Sequence, residues 1–318
     1  MQAAVVTAFD APPRYTTFAD PIASQGEKLV TVTAVGLHPI VKSLAGGTHY
    51  GSTGELPFVP GLDGAGKLED GSHVFFGMAR GPFGTFAQRS LASWMCIPLP
   101  VGLDDATAAG IANPAMSSWA ALMGRAKFIA GESVTILGAT GVAGKLAVQV
   151  AKRLGARRVV AAGRNPQALE MLKDLGADAV IPLDQPDDSL VAAFRNEYAK
   201  EGVDVVLDYL WGHPAECLLD AISQKGSRKA ARVRFVQVGA SAGATIQLHA
   251  AALRSSGLEL LGSGLGSASL DQLRAAIEDF FKSAAAQPFA FKMKTAPLSD
   301  VEKLWNSSEQ GTRLVFQP

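Results

Sequence analysis

Apolar and polar positions follow two different patterns along this chain. Leu29 to Val35 alternate between apolar and polar residues, which predicts a half-buried strand. Glycine and proline then recur between Gly46 and Gly66, so short strands and loops are expected there. From Ser133 onwards, short apolar runs alternate with helical patterns. This change predicts a β-rich region that is followed by a series of βα units.

The βα region contains a set of strand candidates that are short and separated by helical patterns. They are 133–137, 158–162, 179–183, 203–208, 232–238 and 258–262. The runs at 203–208 and 232–238 are rich in β-branched residues, which suit a parallel sheet covered on both faces. The pattern therefore predicts an α/β fold with a doubly wound parallel sheet of the Rossmann type.

Three further segments complete the predicted elements. Asp104 to Leu122 is rich in alanine and helical in composition, with an interruption expected at Asn113-Pro114. A helix is expected from about Leu270 to Ser283, after a cluster of glycines. The segment Thr312 to Phe316 is interpreted as a last strand.

A glycine-rich turn separates the first strand of the βα region from its first helix. It reads Gly138-Ala139-Thr140-Gly141-Val142-Ala143-Gly144. Glycine at 138 allows a tight turn, at 141 it lets a diphosphate approach the backbone, and at 144 it lets the helix pack closely on the strand. The helix N-terminus offers N–H groups and a positive dipole end to phosphates. The motif predicts a dinucleotide site, and a purely structural turn is the alternative.

The end of the second strand indicates which dinucleotide is bound. Sites for the unphosphorylated cofactor usually carry Asp or Glu there, on the ribose 2′-hydroxyl. This chain carries Gly163-Arg164-Asn165 instead, with no carboxylate before Glu170. Because a guanidinium pairs with a 2′-phosphate and a carboxylate repels it, NADP(H) is the predicted cofactor. The alternative is that Arg164 is only a solvated surface arginine.

Composition narrows the class of protein. The 318 residues are 48% hydrophobic and 18% charged, as expected of a globular enzyme long enough for two domains. The formal net charge is zero, so no basic footprint for nucleic acid or an anionic membrane is present. No apolar run is long enough to span a bilayer, and the N-terminus does not resemble a secretory signal. Cys96 and Cys217 are interpreted as reduced thiols of a cytoplasmic protein.

The order of these segments resembles that of the medium-chain dehydrogenase/reductase superfamily, in its zinc-independent quinone oxidoreductase-like branch. The matching segments are VTVTAVGLHPIVKSLAGG, LPFVPGLDGAGKL, GPFGTFAQRSLASWMCIPLP, PAMSSWAAL, ILGATGVAGKLAVQVAKRLGA, LGADAVIPLD, GVDVVLDYLWG and GTRLVFQP. The resemblance implies a GroES-like catalytic domain formed by 1–112 and 267–318, around a Rossmann domain formed by 113–266. It also implies an active site in the cleft between these domains.

The resemblance allows the zinc ligands of the superfamily to be checked. Zinc-dependent members carry a cysteine where this chain has His38, and Gly-His-Glu where it has Gly61-Leu62-Asp63. The four-cysteine lobe for a structural metal is missing. Since a catalytic zinc needs three protein ligands and a structural one needs four, no metal is expected. The remaining histidines show no ligand spacing and are interpreted as surface residues: His73, His213 and His249.

A reductase without a metal lacks the Lewis acid that stabilises an alkoxide, so a conjugated acceptor is the easier substrate. The predicted function is NADPH-dependent hydride transfer to a quinone or an α,β-unsaturated carbonyl compound. The alternatives are a carbonyl or 2-enoyl-thioester reductase, and a low-turnover NADPH-binding protein with a structural or redox-sensing role. Relatives are often dimers that pair through the last strand of the nucleotide domain, here 258–262.

The resemblance also implies catalytic candidates. In the loop AGGTHYGSTG, either His49 or Tyr50 occupies the place of a tyrosine that bonds the acceptor carbonyl, or the loop is only a surface loop. His38 replaces a common asparagine, and Val41 replaces a common aspartate. His38 is a candidate donor to a carbonyl, with a supporting core histidine as the alternative.

Further cofactor contacts are implied near the nicotinamide. Ser117 matches a family threonine close to the nicotinamide amide or ribose, and helix capping is its alternative role. The other implied contacts are Leu210, Val238 and Gly239, which follow strands, and the segment Gly262-Ser263-Gly264. Trp211 is interpreted either as a neighbour of this site or as a packing residue.

Overall fold

The computed structural model describes residues 1–49, 51–52, 54–223, 232–264, 266–307 and 311–318. The chain divides into two compact units, one formed by Met1–Asn113 with Ile277–Pro318 and the other by Pro114–Ala276. The first division lies after Asn113, where the sequence suggested 112. The second lies after Ala276, within the helix Leu270–Ala286, where the glycines suggested 266.

The elements follow one another in this order. The N-terminal part contains β1 Gln2–Val5, β2 Arg14–Thr17, β3 Lys28–Gly36, α1 Pro39–Ala45, β4 Asp63–Lys67, β5 His73–Gly77, β6 Arg89–Ala92, β7 Cys96–Pro98 and α2 Asp105–Trp119. The middle part contains a π-helical segment Ala120–Ala126, β8 Ser133–Leu137, α3 Val142–Arg153, β9 Arg158–Gly163, α4 Pro166–Asp174, β10 Ala179–Pro182, α5 Asp187–Glu201, β11 Val205–Asp208, α6 Gly212–Ser223, β12 Arg232–Gln237, α7 Ala250–Ser255 and β13 Gly257–Gly262. The C-terminal part contains α8 Leu270–Ala286, β14 Lys292–Pro297, a 3₁₀ turn Leu298–Asp300, α9 Val301–Leu304 and β15 Thr312–Gln317. Within the described ranges, no helix has the length and apolarity needed to cross a bilayer.

The first unit is built around a sheet that joins both ends of the chain. Its strand order is β14-β15-β3-β4-β5-β7, and β6 also pairs with β3. β15 pairs antiparallel with β3, and the N–H of Leu37 donates to the carbonyl of Leu314 at 2.9 Å. Phe86, Phe316 and Trp305 pack together in the core of this unit, with ring centroids 5.9 Å apart in each contact with Phe86. The pairing therefore brings residue 313 close to residues 37 and 38.

The second unit contains the predicted parallel sheet. Its described strands run in the order β10-β9-β8-β11-β12-β13, and every pairing is parallel. The six observed strands match the six predicted ones to within three residues at either end. Because the order reverses between β8 and β11, the carboxyl ends of these strands border a crevice where such sheets bind ligands. The predicted α/β doubly wound fold is confirmed.

One sequence prediction about a helix is wrong. α2 continues through Pro114, although an interruption was expected at Asn113-Pro114. Proline removes one backbone hydrogen bond, but Ile111, Ala112 and Ala115 beside it are almost fully buried. Packing of these small side chains thus keeps the helix intact, as tertiary contacts often override local propensity.

Candidate dinucleotide-binding site

The glycine-rich turn begins where β8 ends. Gly138 has a φ of +85°, a conformation that glycine adopts without a steric penalty. The N–H groups of Gly138 and Ala139 donate to the carbonyl of Ala162 at 3.0 and 2.9 Å. These bonds fix the turn against the neighbouring strand β9. The turn is therefore rigid at its start and leads directly into α3.

The other two glycines of the motif are needed for different reasons. A Cβ at Gly144 would lie 2.3 Å from the carbonyl oxygen of Gly138 and 2.5 Å from Cα of Ala139. A Cβ at Gly141 would meet nothing nearer than the Gly138 oxygen, at 3.7 Å. Gly144 is thus required by the protein itself, whereas Gly141 borders open space. The first N–H groups of α3 lack partners within the helix and face that space with the positive dipole end. This cradle fits a diphosphate.

The end of β9 lies against the glycine-rich turn. A Cβ at Gly163 would lie 2.5 Å from Cγ2 of Thr140, so glycine allows the two segments to touch. The side chain of Arg164 is exposed, and its guanidinium has no hydrogen bond or ion pair among the described residues. Asn165 caps α4, since its Oδ1 accepts the N–H of Ala168 at 3.0 Å. Arg164 is therefore the member of the predicted trio with a side chain available for a phosphate.

Asp208 organises the two loops that follow β11 and β12. Its fully buried carboxylate accepts the N–H groups of Leu210 at 2.8 Å and of Trp211 at 3.0 Å. Its backbone carbonyl accepts the N–H groups of Val238 at 2.7 Å and of Gly239 at 3.0 Å. Burial raises the pKa of Asp208 to about 6. Sequence reasoning named all four of these partners but gave Asp208 no role, although an acidic residue that closes an apolar strand was a signal for it.

The loop after β11 also reaches the glycine-rich turn and Ser117. A Cβ at Gly138 would lie 3.0 Å from Cδ2 of Leu210, so the two loops are in contact. Ser117 Oγ donates to the carbonyl of Pro114 at 2.8 Å and lies 3.2 Å from the hydroxyl of Tyr209. Burial raises the pKa of Tyr209 to about 12, so this hydroxyl keeps its proton at neutral pH. The structure thus joins Ser117 with Leu210 and Gly138, as the site requires.

A cavity of about 400 Å³ lies beside the loops after β11 and β12. It is lined by Trp211, Phe235, Gln237, Ala240, Ala244, Leu260, Leu261 and Gly262. Trp211 has a φ of +55° and packs edge-on against Phe235, with centroids 6.2 Å apart. A positive φ is strained for a tryptophan and is typical of functional loops. Trp211 therefore shapes this cavity by packing on β12.

The segment Gly262-Ser263-Gly264 continues the edge strand past this cavity. The carbonyl of Gly262 accepts Nε of Arg125 at 2.7 Å, and the N–H of Ser263 donates to the carbonyl of Gln237 at 2.8 Å. The N–H of Gly264 donates to Oγ of Ser267 at 2.8 Å. Gly262 thus lines the cavity, while Ser263 and Gly264 turn the chain away from β12.

The first unit contains a buried polar cluster, which consists of His38, Asp63 and Arg313. His38 is the catalytic candidate in this cluster. Nε2 of His38 lies 3.3 Å from Oδ1 of Asp63, and both side chains are buried. Arg313 is also buried and donates from Nη1 to the carbonyl of Leu37 at 2.7 Å. Burial lowers the pKa of His38, and it lowers the pKa of Arg313 to about 10. His38 is therefore held in its neutral form inside this unit.

The two other catalytic candidates lie in the loop after α1. Nδ1 of His49 accepts the N–H of Gly51 at 3.0 Å, which stabilises a local turn. Tyr50 lies outside the described residues. The catalytic roles of His38, His49 and Tyr50 thus stay predictions.

Comparisons with known proteins agree with this fold. A family model described as "Zinc-binding dehydrogenase" matches residues 143–282. A "Probable NADPH-dependent quinone reductase" of Emericella nidulans is 27% identical over 100% of both chains. A chloroplastic "NADPH-dependent alkenal/one oxidoreductase" of Arabidopsis thaliana is 30% identical over 51% of this chain and 46% of that protein. The quinone oxidoreductase of Thermus thermophilus, solved also in complex with NADPH, has a TM-score of 0.76 at 25% identity over 100% of both chains.

The sheet order and the glycine cradle define an α/β protein of the dinucleotide-binding class. The family model and the full-length relative support the medium-chain dehydrogenase/reductase superfamily, in its quinone-reductase-like branch.

Proposed function

We propose that this chain is a metal-independent, NADPH-dependent oxidoreductase that transfers hydride to a quinone or an α,β-unsaturated carbonyl compound. The observation that carries the proposal is the cradle at Gly141, which protein atoms leave open and which lies at the N-terminus of α3. It fits the diphosphate of a dinucleotide. The names of the relatives from Emericella nidulans and Arabidopsis thaliana support both the cofactor and the class of acceptor.

Arg164 supports the choice of NADPH over NADH. Its exposed guanidinium follows β9, at the position where a carboxylate would bond an unphosphorylated ribose. A charge-assisted, bidentate pair with a phosphate contributes about 1.5–3 kcal/mol, which corresponds to at least a tenfold preference. NADPH supplies the hydride from C4 of its nicotinamide when it is bound.

The protein's own residues hold and orient this cofactor. Residues 138–144 bind the diphosphate through backbone N–H groups, and Arg164 binds the 2′-phosphate. The loops that Asp208 ties together carry Leu210, Val238 and Gly239, which border the nicotinamide and its ribose. Because these loops are fixed before the cofactor arrives, little order is lost on binding.

The buried polar cluster supports a reaction without zinc. His38 and Asp63 offer two potential ligands, whereas a catalytic zinc takes three from the protein. Arg313 adds a positive charge that interacts with Asp63, and a second cation there would be repelled. Among the described residues of the first unit, no three ligand side chains converge.

The direct test is a steady-state panel of quinones, enones, saturated aldehydes and enoyl thioesters, with NADPH and with NADH. We expect oxidation of NADPH by quinones or enones, unchanged by prior treatment with a chelator. Turnover restricted to enoyl thioesters or saturated aldehydes would favour the alternative reductases. Tight NADPH binding without any turnover would favour a structural or redox-sensing role, and absence of NADPH binding would overturn the proposal.

Two finer features belong to the same proposal. β13 is the edge strand of its sheet and exposes Leu260, which supports a homodimer through this strand. Sedimentation should give a dimer, and a monomer in solution would contradict pairing through β13. Cys217 is a free thiol, which supports a cytoplasmic location that fractionation of the source cells would test.

A further inference from the structure

Three side chains of the second unit converge at the N-terminal ends of α5 and α6. Asp187 is the first residue of α5, and His213 and Cys217 lie one turn apart on α6. Nε2 of His213 is 2.8 Å from Oδ1 of Asp187 and 3.7 Å from Sγ of Cys217. All three potential ligand atoms lie within 4.8 Å of one another. Among the described residues, this is the group of three that a metal ion could join.

These distances are close to those of a tetrahedral zinc site. With Zn–N and Zn–O bonds of about 2.0 Å and a Zn–S bond of about 2.3 Å, tetrahedral angles separate N from O by about 3.3 Å and N from S by about 3.6 Å. The observed separations are 2.8 and 3.7 Å. The N–S separation therefore already matches, and the N–O separation would have to open by about 0.5 Å to admit the ion.

A nucleophilic Cys–His–Asp triad would need a different arrangement. In such a triad the carboxylate bonds one ring nitrogen of the histidine and the nucleophile bonds the other. Here Asp187 and Cys217 approach the same nitrogen, Nε2, while Nδ1 faces Glu216 at 3.7 Å. Convergence on one nitrogen is the geometry of a shared ligand, not of a proton relay.

We propose that Asp187, His213 and Cys217 form a zinc-binding site with water as the fourth ligand. One sulfur, one imidazole nitrogen and one carboxylate oxygen suit zinc, whereas magnesium and calcium prefer oxygen alone. The thiolate and the carboxylate together balance the charge of a divalent ion. The side chains of Asp187 and His213 are 69% and 57% exposed, so the ion can enter from solvent, and Cys217 is buried beneath them.

This site is independent of the proposed reaction. The glycine cradle at 138–144 and Arg164 contribute nothing to it, and it needs no nicotinamide. His213 and Cys217 are four residues apart in the sequence. This spacing places two side chains on the same face only if the segment is a helix, so the sequence alone did not connect them. His213 is exposed, as the sequence suggested, and the proposal adds a ligand role to this surface residue.

The test uses the full-length protein after treatment with a chelator and dialysis. We expect one zinc per chain by equilibrium dialysis, and a cobalt(II) derivative with a thiolate-to-cobalt charge-transfer band and four-coordinate d–d bands. His213→Asn and Cys217→Ala should each weaken zinc binding by at least about 10- to 100-fold, the range reported even for loss of supporting partners. Cys96→Ala and His249→Asn are the matched controls and should bind zinc as the parent protein does.

Two outcomes would overturn the assignment. One is zinc binding that is equal in the parent protein, in His213→Asn and in Cys217→Ala. The other is a cobalt derivative that lacks the thiolate band while circular dichroism shows folded protein. His213 is exposed, so the Asn variant should fold and keep the test valid even if Cys217→Ala does not. NADPH fluorescence, measured in the same samples, reports separately on the proposed cofactor site.

Discussion

The glycine cradle of the second unit and the buried polar cluster of the first are built in opposite ways. The cradle consists of backbone, and its members Gly138, Gly141 and Gly144 lie within one turn and the start of one helix. The cluster consists of charged and polar side chains, and Arg313 meets the carbonyl of Leu37 across 276 positions of sequence. A local backbone site can be recognised from spacing, whereas a cluster assembled by strand pairing cannot.

The two regions should also fail in different ways. The cradle contains no side chain whose loss would leave a charge unpaired. It is therefore most sensitive to substitutions that add side-chain atoms to its closely packed backbone. The cluster contains buried charged groups that compensate one another. Its stability is therefore most sensitive to substitutions that remove one of these charges. Substitutions that add a Cβ therefore test the cradle, and substitutions that remove a charge test the cluster.

The largest effect is expected for Gly144→Val. Its Cβ would lie 2.3 Å from the Gly138 oxygen and 2.5 Å from Cα of Ala139, and both of these are backbone atoms that cannot rotate away. Overpacking of this kind typically costs about 1–3 kcal/mol, and a rigid backbone with a branched side chain should raise the cost above that range. Urea unfolding should show a large loss of stability or no folded protein.

Gly141→Ala is the matched control for this substitution. The added Cβ would meet only the Gly138 oxygen at 3.7 Å, and the φ of Gly141 is −74°, which alanine adopts freely. The variant should keep its unfolding free energy and lose NADPH affinity in a fluorescence titration. Unchanged NADPH affinity would mean that no diphosphate approaches this glycine.

A somewhat smaller effect is expected for Arg313→Met. The change keeps much of the side-chain volume and removes the positive charge, which leaves Asp63 buried without its cationic neighbour. Arg313 and Asp63 interact through their charges, so removal of the cation should lower the unfolding free energy by about 1–3 kcal/mol, as urea unfolding would measure. The double variant Arg313→Met with Asp63→Asn should recover part of that loss. Strict additivity of the two single losses would contradict the coupling.

The sequence predicts the second unit better than the first for the same physical reason. Parallel strands with both faces covered are continuous apolar runs, so β8 to β13 were found with small errors in their ends. The glycines of the cradle were found because a turn and a close helix contact each demand glycine at a fixed spacing. Arg164 was proposed to bind the 2′-phosphate because one charged residue stands where a carboxylate was expected, and this role stays a prediction.

The missed features depend on contacts that only the folded chain creates. Asp208 looks like the end of a strand, and its role appears only when its carboxylate accepts the N–H groups of the next loop. The pairing of Asp63 with His38 requires β4 to lie beside β3, and their contact with Arg313 requires β15 to return to the same sheet. α2 likewise continues through Pro114 because its neighbours are buried, which no local rule predicts.

A third prediction concerns the pH dependence of stability at Asp208, a buried acid of the second unit. Its pKa rises from 3.8 to about 6 in the folded protein, so between these values the folded state holds more protons than the unfolded state. The free energy of unfolding should therefore fall as pH rises from about 4 to about 6, by on the order of 2–3 kcal/mol. Asp208→Asn should remove this fall, as urea unfolding across that pH range would show.

His38 provides an internal control for this measurement. Burial lowers its pKa, so the unfolded state takes up a proton first and stability is lost as pH falls below about 6.5. This contribution has the opposite sign and is the same in the parent protein and in Asp208→Asn, so it cancels in the difference between them. A difference that does not change with pH would mean that Asp208 titrates normally in the folded protein.

The smallest expected effect is that of Arg164→Ala, because it removes a side chain without disturbing either packing or a buried charge. Arg164 is exposed, and the described residues give its guanidinium no partner, so the unfolding free energy should stay the same. Affinity for NADPH should fall about tenfold, equivalent to about 1.4 kcal/mol, while affinity for NADH stays the same. Arg195→Ala, which removes an exposed arginine of α5, controls for the loss of one positive charge and should change neither affinity. Equal losses for the two cofactors would show that Arg164 acts on something other than the 2′-phosphate. The choice of NADPH over NADH would then depend on the glycine cradle alone. The cradle cannot distinguish the two dinucleotides, because both carry the same diphosphate.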